Sequence, residues 1–273
     1  MHLSPLIQPM DRTLENWHLG HHANGIADGE MVAVLPFSRR DLTGAYRFAG
    51  GIGSAWHGVE ILVEQGSGNG VPTAALDTIK GYINTLSARE LQLLDQVEVL
   101  AQACPQDAYW RQRYGIPDYY VRALTGRGRT QFWRGDTRTL RVFHHEQAHL
   151  LHFSGGIAGQ QWSRAIQDDD RRLTELRAAG WTLTGLPVDR FDFDRDLLRL
   201  VPGGITGYAE FARSNGNTDQ EDIAESIAWR KLGIRVGPIA RGTAADGSQH
   251  LFTFDELFPA RTRLVDQALR ERI

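Results

Sequence analysis

One short stretch of the chain combines side chains that can do chemistry together: His145-Glu146-Gln147-Ala148-His149. Residues four positions apart in a helix lie on the same face, so His145 and His149 are predicted to direct two imidazoles at one point. Such a pair can hold a zinc ion. Glu146 follows the first histidine and is predicted to lie beside the metal, where a general base for a metal-bound water belongs.

The residues around this motif predict a buried helix. Apolar side chains occupy nearly all sides of it: Leu140, Val142, Phe143, Ala148, Leu150, Leu151 and Phe153. Polar groups in a buried helix need partners, because burying them unpaired is costly. A zinc ion would satisfy both histidines. The alternative is a core helix whose histidines form hydrogen bonds with their neighbours.

A catalytic zinc site needs a third protein ligand and one open position. A metzincin would place a glycine three residues after His149 and a histidine three residues further on. This chain has His152 at the first of those positions and Gly155 at the second, so that class is excluded. We expect His152 to be a packed residue close to the site.

A downstream helix offers two carboxylates on one face, Glu221 and Glu225. Such a pair suits one carboxylate on the metal and one that orients a ligand histidine through its other ring nitrogen. The alternative is a solvent-facing acidic stripe. Four apolar residues between and beside the pair favour burial: Ile223, Ala224, Ile227 and Ala228. Three competing ligands fall in segments that look exposed: Glu175, Asp168 and Glu210.

The histidine motif, followed by Glu221-Asp222-Ile223-Ala224-Glu225, resembles the gluzincin metallopeptidases, most closely the anthrax lethal factor-like family. The resemblance covers residues 87–228 loosely, and only the motifs are specific. It implies a zincin-like fold in which Glu221 is the third zinc ligand.

In that family a tyrosine segment precedes the glutamate helix, and Ile205-Thr206-Gly207-Tyr208-Ala209 is similar to it. The resemblance implies that Tyr208 donates a hydrogen bond to the oxyanion of the tetrahedral intermediate. The interval of residues 210–220 is longer than in the family. Phe211 is the alternative counterpart, and its ring could not donate that bond.

These features together predict a zinc metalloendopeptidase in which Glu146 activates a zinc-bound water, with a toxin-like effector as one form and a protein or peptide as substrate. Two alternatives stay open. One is a non-catalytic binding module in which zinc is only structural, and the presence of Glu146 argues against it. The other is a zinc hydrolase of a non-peptide amide.

Composition narrows the class of protein further. The chain of 273 residues has a net charge of −3, which does not predict nucleic-acid binding. Cys104 is the one cysteine, so a metal site must use histidine and carboxylate ligands. The first residues do not resemble a secretory signal, and no run of about 18 apolar residues predicts a membrane span. We therefore expect a soluble protein, cytoplasmic by default, with export by another route left open.

A glycine-rich stretch at residues 66–72 predicts a boundary between a small N-terminal region, residues 1–70, and a zincin-like catalytic domain, residues 71–273.

We expect an α+β fold, mostly helical with a small mixed sheet. Strands are predicted at residues 31–35, 58–63, 97–100 and 129–134. Helices are predicted at residues 73–86, 107–114, 160–179, 219–232 and 254–270. Another helix is predicted to begin at a capping box at Ser87. The helix that carries the histidine motif is predicted to begin at a cap formed by Asp136-Thr137. Residues 181–205 are predicted to be loop with a short helix at 194–201. The acidic block at 168–170 and the arginines of 122–141 are expected to be solvated.

Overall fold

The computed structural model describes residues 31–33, 45–49, 58–64, 72–126, 128–137, 139–155, 157–187, 198–215 and 219–270. Its helices and two sheets confirm the α+β class. The chain forms two compact units, Met1–Thr137 and Arg138–Ile273. Residues 66–71 of the predicted boundary lie outside the described residues, so the division at residue 70 stays a prediction.

The first unit is organised around a six-stranded mixed sheet of order β1-β2-β3-β4-β6-β5. Its strands are β1 (Met31–Ala33), β2 (Ala45–Ala49), β3 (Glu60–Glu64), β4 (Gln96–Val99), β5 (Ala123–Gly126) and β6 (Arg129–Phe132). The β3–β4 and β4–β6 pairs are parallel, and the other pairs are antiparallel. Ile61, Leu62 and Val63 are all buried, as expected for a continuous apolar run in a parallel central strand. The sequence did not predict β5.

The described part of this unit also contains the helices α1 (Pro72–Ile83), α2 (Ala88–Leu93) and α3 (Asp107–Tyr114). The predicted capping box is confirmed, because the Ser87 hydroxyl accepts from the Glu90 N–H while the Glu90 carboxylate accepts from the Ser87 N–H. Helix α3 ends at Gly115, whose φ of 66° is in the left-handed region that glycine adopts without strain. Local signals therefore set these helix ends.

The second unit is mainly helical. Its elements are α4 (Leu140–Phe153), α5 (Gly159–Ala178), β7 (Thr182–Gly185), α6 (Gly207–Ser214), α7 (Gln220–Val236), β8 (Ala240–Thr243), β9 (Gln249–Phe252), α8 (Phe254–Leu257) and α9 (Pro259–Arg270). Helix α4 packs along α7, and α5 packs on α9. The cap of α4 is not the predicted Asp136-Thr137. Thr139 has extended backbone at φ −120°, and its hydroxyl accepts from the Val142 N–H, so the helix begins there.

Residues 181–205 are not simply loop. Strand β7 pairs antiparallel with β8, which pairs with β9. The predicted short helix at 194–201 falls partly on residues 194–197, which lie outside the described residues. At its other end, Leu198 forms an antiparallel bridge with Thr206 and is not helical. Strand β7 was not predicted, because the strand that pairs with it follows more than 50 residues later in the chain.

The acidic block of α5 is only partly solvated. Asp168 is exposed as predicted, but Asp169 is fully buried and accepts hydrogen bonds from the Ala260 and Arg261 backbone N–H groups. Arg261 is also buried, and its Nε donates to Asp222 Oδ1 over 3.0 Å. The expectation of a solvated face was therefore wrong for Asp169. One buried arginine links two carboxylates and ties α5, α7 and α9 together.

Among the described helices, none combines the length and the apolar character that crossing a membrane requires.

Candidate metal centre

Two packed helices position the candidate ligands. His145 and His149 lie one turn apart on α4, and Glu221 lies in the first turn of α7. Helix α4 has apolar residues on most sides, and the side of α4 that packs on α7 carries the two imidazoles. His145 is 8% exposed and Glu221 is 9% exposed, while His149 is partly exposed. The site is therefore largely shielded from solvent, and the His149 side chain is only slightly more exposed than the other two.

The three ligand atoms form a nearly equilateral triangle. His145 Nε2 lies 3.1 Å from His149 Nε2 and 3.0 Å from Glu221 Oε2, and the His149 Nε2 to Glu221 Oε2 distance is 3.5 Å. With zinc–ligand bonds of about 2.0–2.1 Å, the ligand atoms of a tetrahedral zinc site lie about 3.3 Å apart. The observed distances fit that spacing. Among the described residues, these three form a group that can hold a metal ion.

Unpartnered polar atoms support the same conclusion. Glu221 Oε2 is buried and has no hydrogen-bond partner among the described residues, although it lies close to both imidazoles. The 3.0 Å contact from His145 therefore does not have hydrogen-bond geometry. A buried carboxylate oxygen without a partner is costly, and a cation at the centre of the triangle would satisfy it. The donor set of two imidazoles and one carboxylate fits a zinc ion.

Two further charged residues, Glu225 and Arg141, support the candidate ligand His145. His145 Nδ1 lies 2.7 Å from Glu225 Oε1, and Arg141 Nη1 donates to both oxygens of Glu225 over 3.0 and 3.1 Å. Arg141 and Glu225 are 3% and 2% exposed. A proton on His145 Nδ1 that is donated to Glu225 leaves the Nε2 lone pair free to bind a metal. Glu225 therefore fixes both the ring orientation and the tautomer of His145.

The buried charges shift the acidities of these groups. Burial alone would raise the pKa of Glu225, but the Arg141 guanidinium and the hydrogen bond from His145 lower it. Burial also opposes ionisation of Glu221, and the two imidazoles reverse that effect and lower its pKa. For His145, burial disfavours the charged ring, but the nearby Glu221 carboxylate and the hydrogen bond with Glu225 raise its pKa well above the usual range. The glutamates are thus held as carboxylates that attract positive charge.

The two predicted catalytic residues both belong to this unit. Glu146 is 7% exposed on α4, directly after the first histidine. Tyr208 lies in the first turn of α6, and its ring centroid is 5.9 Å from that of His145. The Thr206 hydroxyl caps α6 by accepting from the Ala209 N–H, which fixes the backbone on both sides of Tyr208. The structure thus brings the tyrosine next to the candidate ligand His145, although the sequence did not predict helix α6.

The other residues considered as metal ligands do not belong to this group. Asp168 and Glu175 are exposed on α5, as the sequence predicted. His152 is partly buried, with a pKa lowered by burial and by His149, and it is not in the ligand triangle. Arg141 was not predicted to belong to the site, because it was one of the arginines that were expected to be solvated. A charge one turn before His145 on an otherwise apolar helix was the available signal.

Comparison with protein-family models, curated proteins and solved structures finds no match to this chain. The described residues contain a buried group, His145, His149 and Glu221, that can bind a metal ion, with a salt-bridged carboxylate behind it.

Proposed function

We propose that the chain is a zinc-dependent metallopeptidase similar to the gluzincins, with a zincin-like second unit. One observation carries the proposal: three ligand atoms lie 3.0 to 3.5 Å apart, two of them on α4, which also carries Glu146, and the third on α7. A purely structural zinc site is normally closed by four protein ligands. Here the described residues supply three, which leaves one position of a tetrahedral site for water or substrate.

The residues divide the work of amide hydrolysis. When bound, zinc supplies Lewis-acid chemistry and brings the pKa of water near ~7. Glu146 then takes a proton from the attacking water and returns it to the leaving amine. The Tyr208 hydroxyl donates a hydrogen bond to the oxygen that becomes negative in the transition state. Glu225, held by Arg141, keeps the His145 ring in the tautomer that binds metal.

The substrate class follows from this chemistry and from the resemblance. A general base, a Lewis acid and an oxyanion donor suit hydrolysis of an amide, and a peptide bond in a protein is the amide that the lethal factor-like resemblance favours. A toxin-like effector that cleaves a specific protein is the corresponding biological form. A non-peptide amide would need the same three roles, so the assay below includes one.

Metal content is the first test. We expect about one zinc per chain by elemental analysis of the purified protein. Replacing two ligands, in His149→Ala with Glu221→Gln, should remove it. The control variant is Glu175→Gln, which changes an exposed carboxylate on α5 and should keep the metal. Native protein that holds no metal after incubation with zinc would refute the proposal.

Cleavage by the metal-loaded protein is the second test. The native chain and Glu146→Gln are incubated with casein, a fluorogenic peptide library and a simple acyl anilide. Loss of the general base should slow cleavage by about 10²–10⁴-fold while the metal content stays unchanged. Glu146→Gln protein that cleaves as fast as the native chain would contradict the mechanism. Cleavage of the anilide alone would move the function to the non-peptide alternative.

A further inference from the structure

The face of α4 that carries His145 and His149 continues to an exposed aromatic ring, that of Phe153. Phe153 follows His149 by four residues, as His149 follows His145, so the three side chains lie along one stripe of the helix. Exposure rises along this stripe. His145 is 8% exposed, His149 is partly exposed and Phe153 is 57% exposed. The site therefore opens towards the C-terminal end of α4, and Phe153 lies at that opening.

Phe153 is placed directly against a candidate ligand. Its ring stacks on the imidazole of His149, with centroids 5.8 Å apart and an angle of 15° between the planes. It also lies 5.8 Å from the His152 ring. An aromatic ring that is more than half exposed loses the free energy that burial would give it. Other exposed apolar residues of this unit, such as Ile234, lie on other elements.

We propose that Phe153 is a specificity-determining residue: its open face binds an apolar side chain of the substrate residue next to the scissile bond. This inference rests on the proposed metal-dependent hydrolysis, because it places the reacting amide beside His149. A substrate side chain packed on Phe153 would bury apolar surface on both partners and exclude water from the cluster. Aromatic and branched aliphatic side chains fit best, since each covers a large part of a ring face.

A competing role for Phe153 is to orient His149. His149 Nδ1 is buried and has no hydrogen-bond partner among the described residues, so stacking on Phe153 could be what holds this ring. The two roles differ in what they predict. An orienting residue affects the affinity for the metal and for every metal-binding ligand. A specificity residue affects only ligands that carry an apolar side chain.

Hydroxamates measure this difference without turnover, because they bind the metal of zinc hydrolases directly. The metal-loaded native chain, Phe153→Ala and the control Ile234→Ala are titrated with acetohydroxamate and with a hydroxamate that carries a benzyl side chain. In the native chain and in Ile234→Ala, we expect the benzyl compound to bind about fivefold more tightly than acetohydroxamate. In Phe153→Ala that preference should disappear, while the affinity for acetohydroxamate and the metal content stay unchanged.

Three outcomes overturn the inference. A benzyl preference that survives in Phe153→Ala would show that the ring is not part of the subsite. Equal weakening of both hydroxamates, or loss of metal, would assign Phe153 the orienting role. A native chain without benzyl preference would exclude an apolar subsite. The proposed function fails separately, when the metal-loaded native chain shows no Glu146-dependent cleavage, and hydroxamate binding can still be measured in that case.

Discussion

The buried pair of Arg141 and Glu225 allows a quantitative test of the second layer of the site. The changes are Arg141→Met, Glu225→Gln and the double variant. Both side chains are almost fully buried, and the two hydrogen bonds between them are 3.0 and 3.1 Å long. Removing one partner takes from the other, a buried charge, its oppositely charged neighbour, which costs about 3–5 kcal/mol. Removing both leaves no unpaired charge.

We therefore expect each single substitution to lower the free energy of unfolding by about 3 kcal/mol. The double variant should lose no more than either single variant, about 3 kcal/mol at most, which gives a coupling free energy of at least about 3 kcal/mol. Urea unfolding of the metal-free proteins measures these values. Metal affinity gives a second readout. Glu225→Gln replaces the charged acceptor 2.7 Å from His145 Nδ1, so metal should bind about 10–100-fold more weakly.

Competition with a chromophoric chelator measures the affinity. The reasoning is refuted if the stability effects are additive within about 0.5 kcal/mol, because the two residues would then not act as a pair. It is also refuted if Glu225→Gln binds metal as tightly as the native chain, because Glu225 would then not support His145.

Three further results are expected. Tyr208→Phe keeps the ring beside His145 but removes the hydroxyl, so kcat should fall about 10²–10³-fold with metal content unchanged, as measured by peptide cleavage and elemental analysis. Asp222→Asn weakens the acceptor of buried Arg261 and should cost about 3 kcal/mol in urea unfolding. Burial raises the pKa of the Cys104 thiol to about 11. In the unfolded chain this thiol loses its proton at pH ~8.5, whereas in the folded chain it keeps the proton. The free energy of unfolding should therefore fall as the pH rises. Between pH ~9 and ~11, the fall should be steeper in the native protein than in Cys104→Ala by about 1.4 kcal/mol per pH unit.

Each of these results has a matched control. Tyr119→Phe removes a hydroxyl in the first unit and should leave cleavage unchanged; an equal loss in both variants would exclude a specific role for Tyr208. Asp168→Asn changes an exposed carboxylate of α5 and should cost less than about 0.5 kcal/mol. Equal stability of Asp222→Asn and Asp168→Asn would contradict the role of the Arg261 network. Parallel pH profiles of native protein and Cys104→Ala would show that the thiol does not contribute.

The predictable parts of this molecule are those that local sequence determines. The spacing of His145 and His149, the apolar flanks of α4 and the Ser87 capping box all act within one or two turns, so their consequences follow from helix geometry. The parts that were missed depend on distant partners. Arg141 is buried only because Glu225 lies 84 residues later, and Asp169 only because Arg261 lies 92 residues later.

The cap of α4 shows a smaller error of the same origin. Asp136, Thr137 and Thr139 are all good N-cap residue types, so composition alone cannot choose among them. Packing decides where the helix begins: Thr139 is 1% exposed, and its hydroxyl satisfies an N–H group of the first turn. Helix ends are therefore less predictable than helix centres.

The pairing of Arg141 with Glu225 also determines the electrical balance of the site. With Glu146 ionised as the general base, the enclosed groups are three carboxylates and one guanidinium, a formal charge of about −2 in a region that water hardly reaches. A divalent cation brings that sum to zero. A monovalent or trivalent ion would leave a residual charge in a low-dielectric environment, which is costly. Electroneutrality, in addition to the identity of the ligands, therefore favours a divalent ion among those that this group could hold.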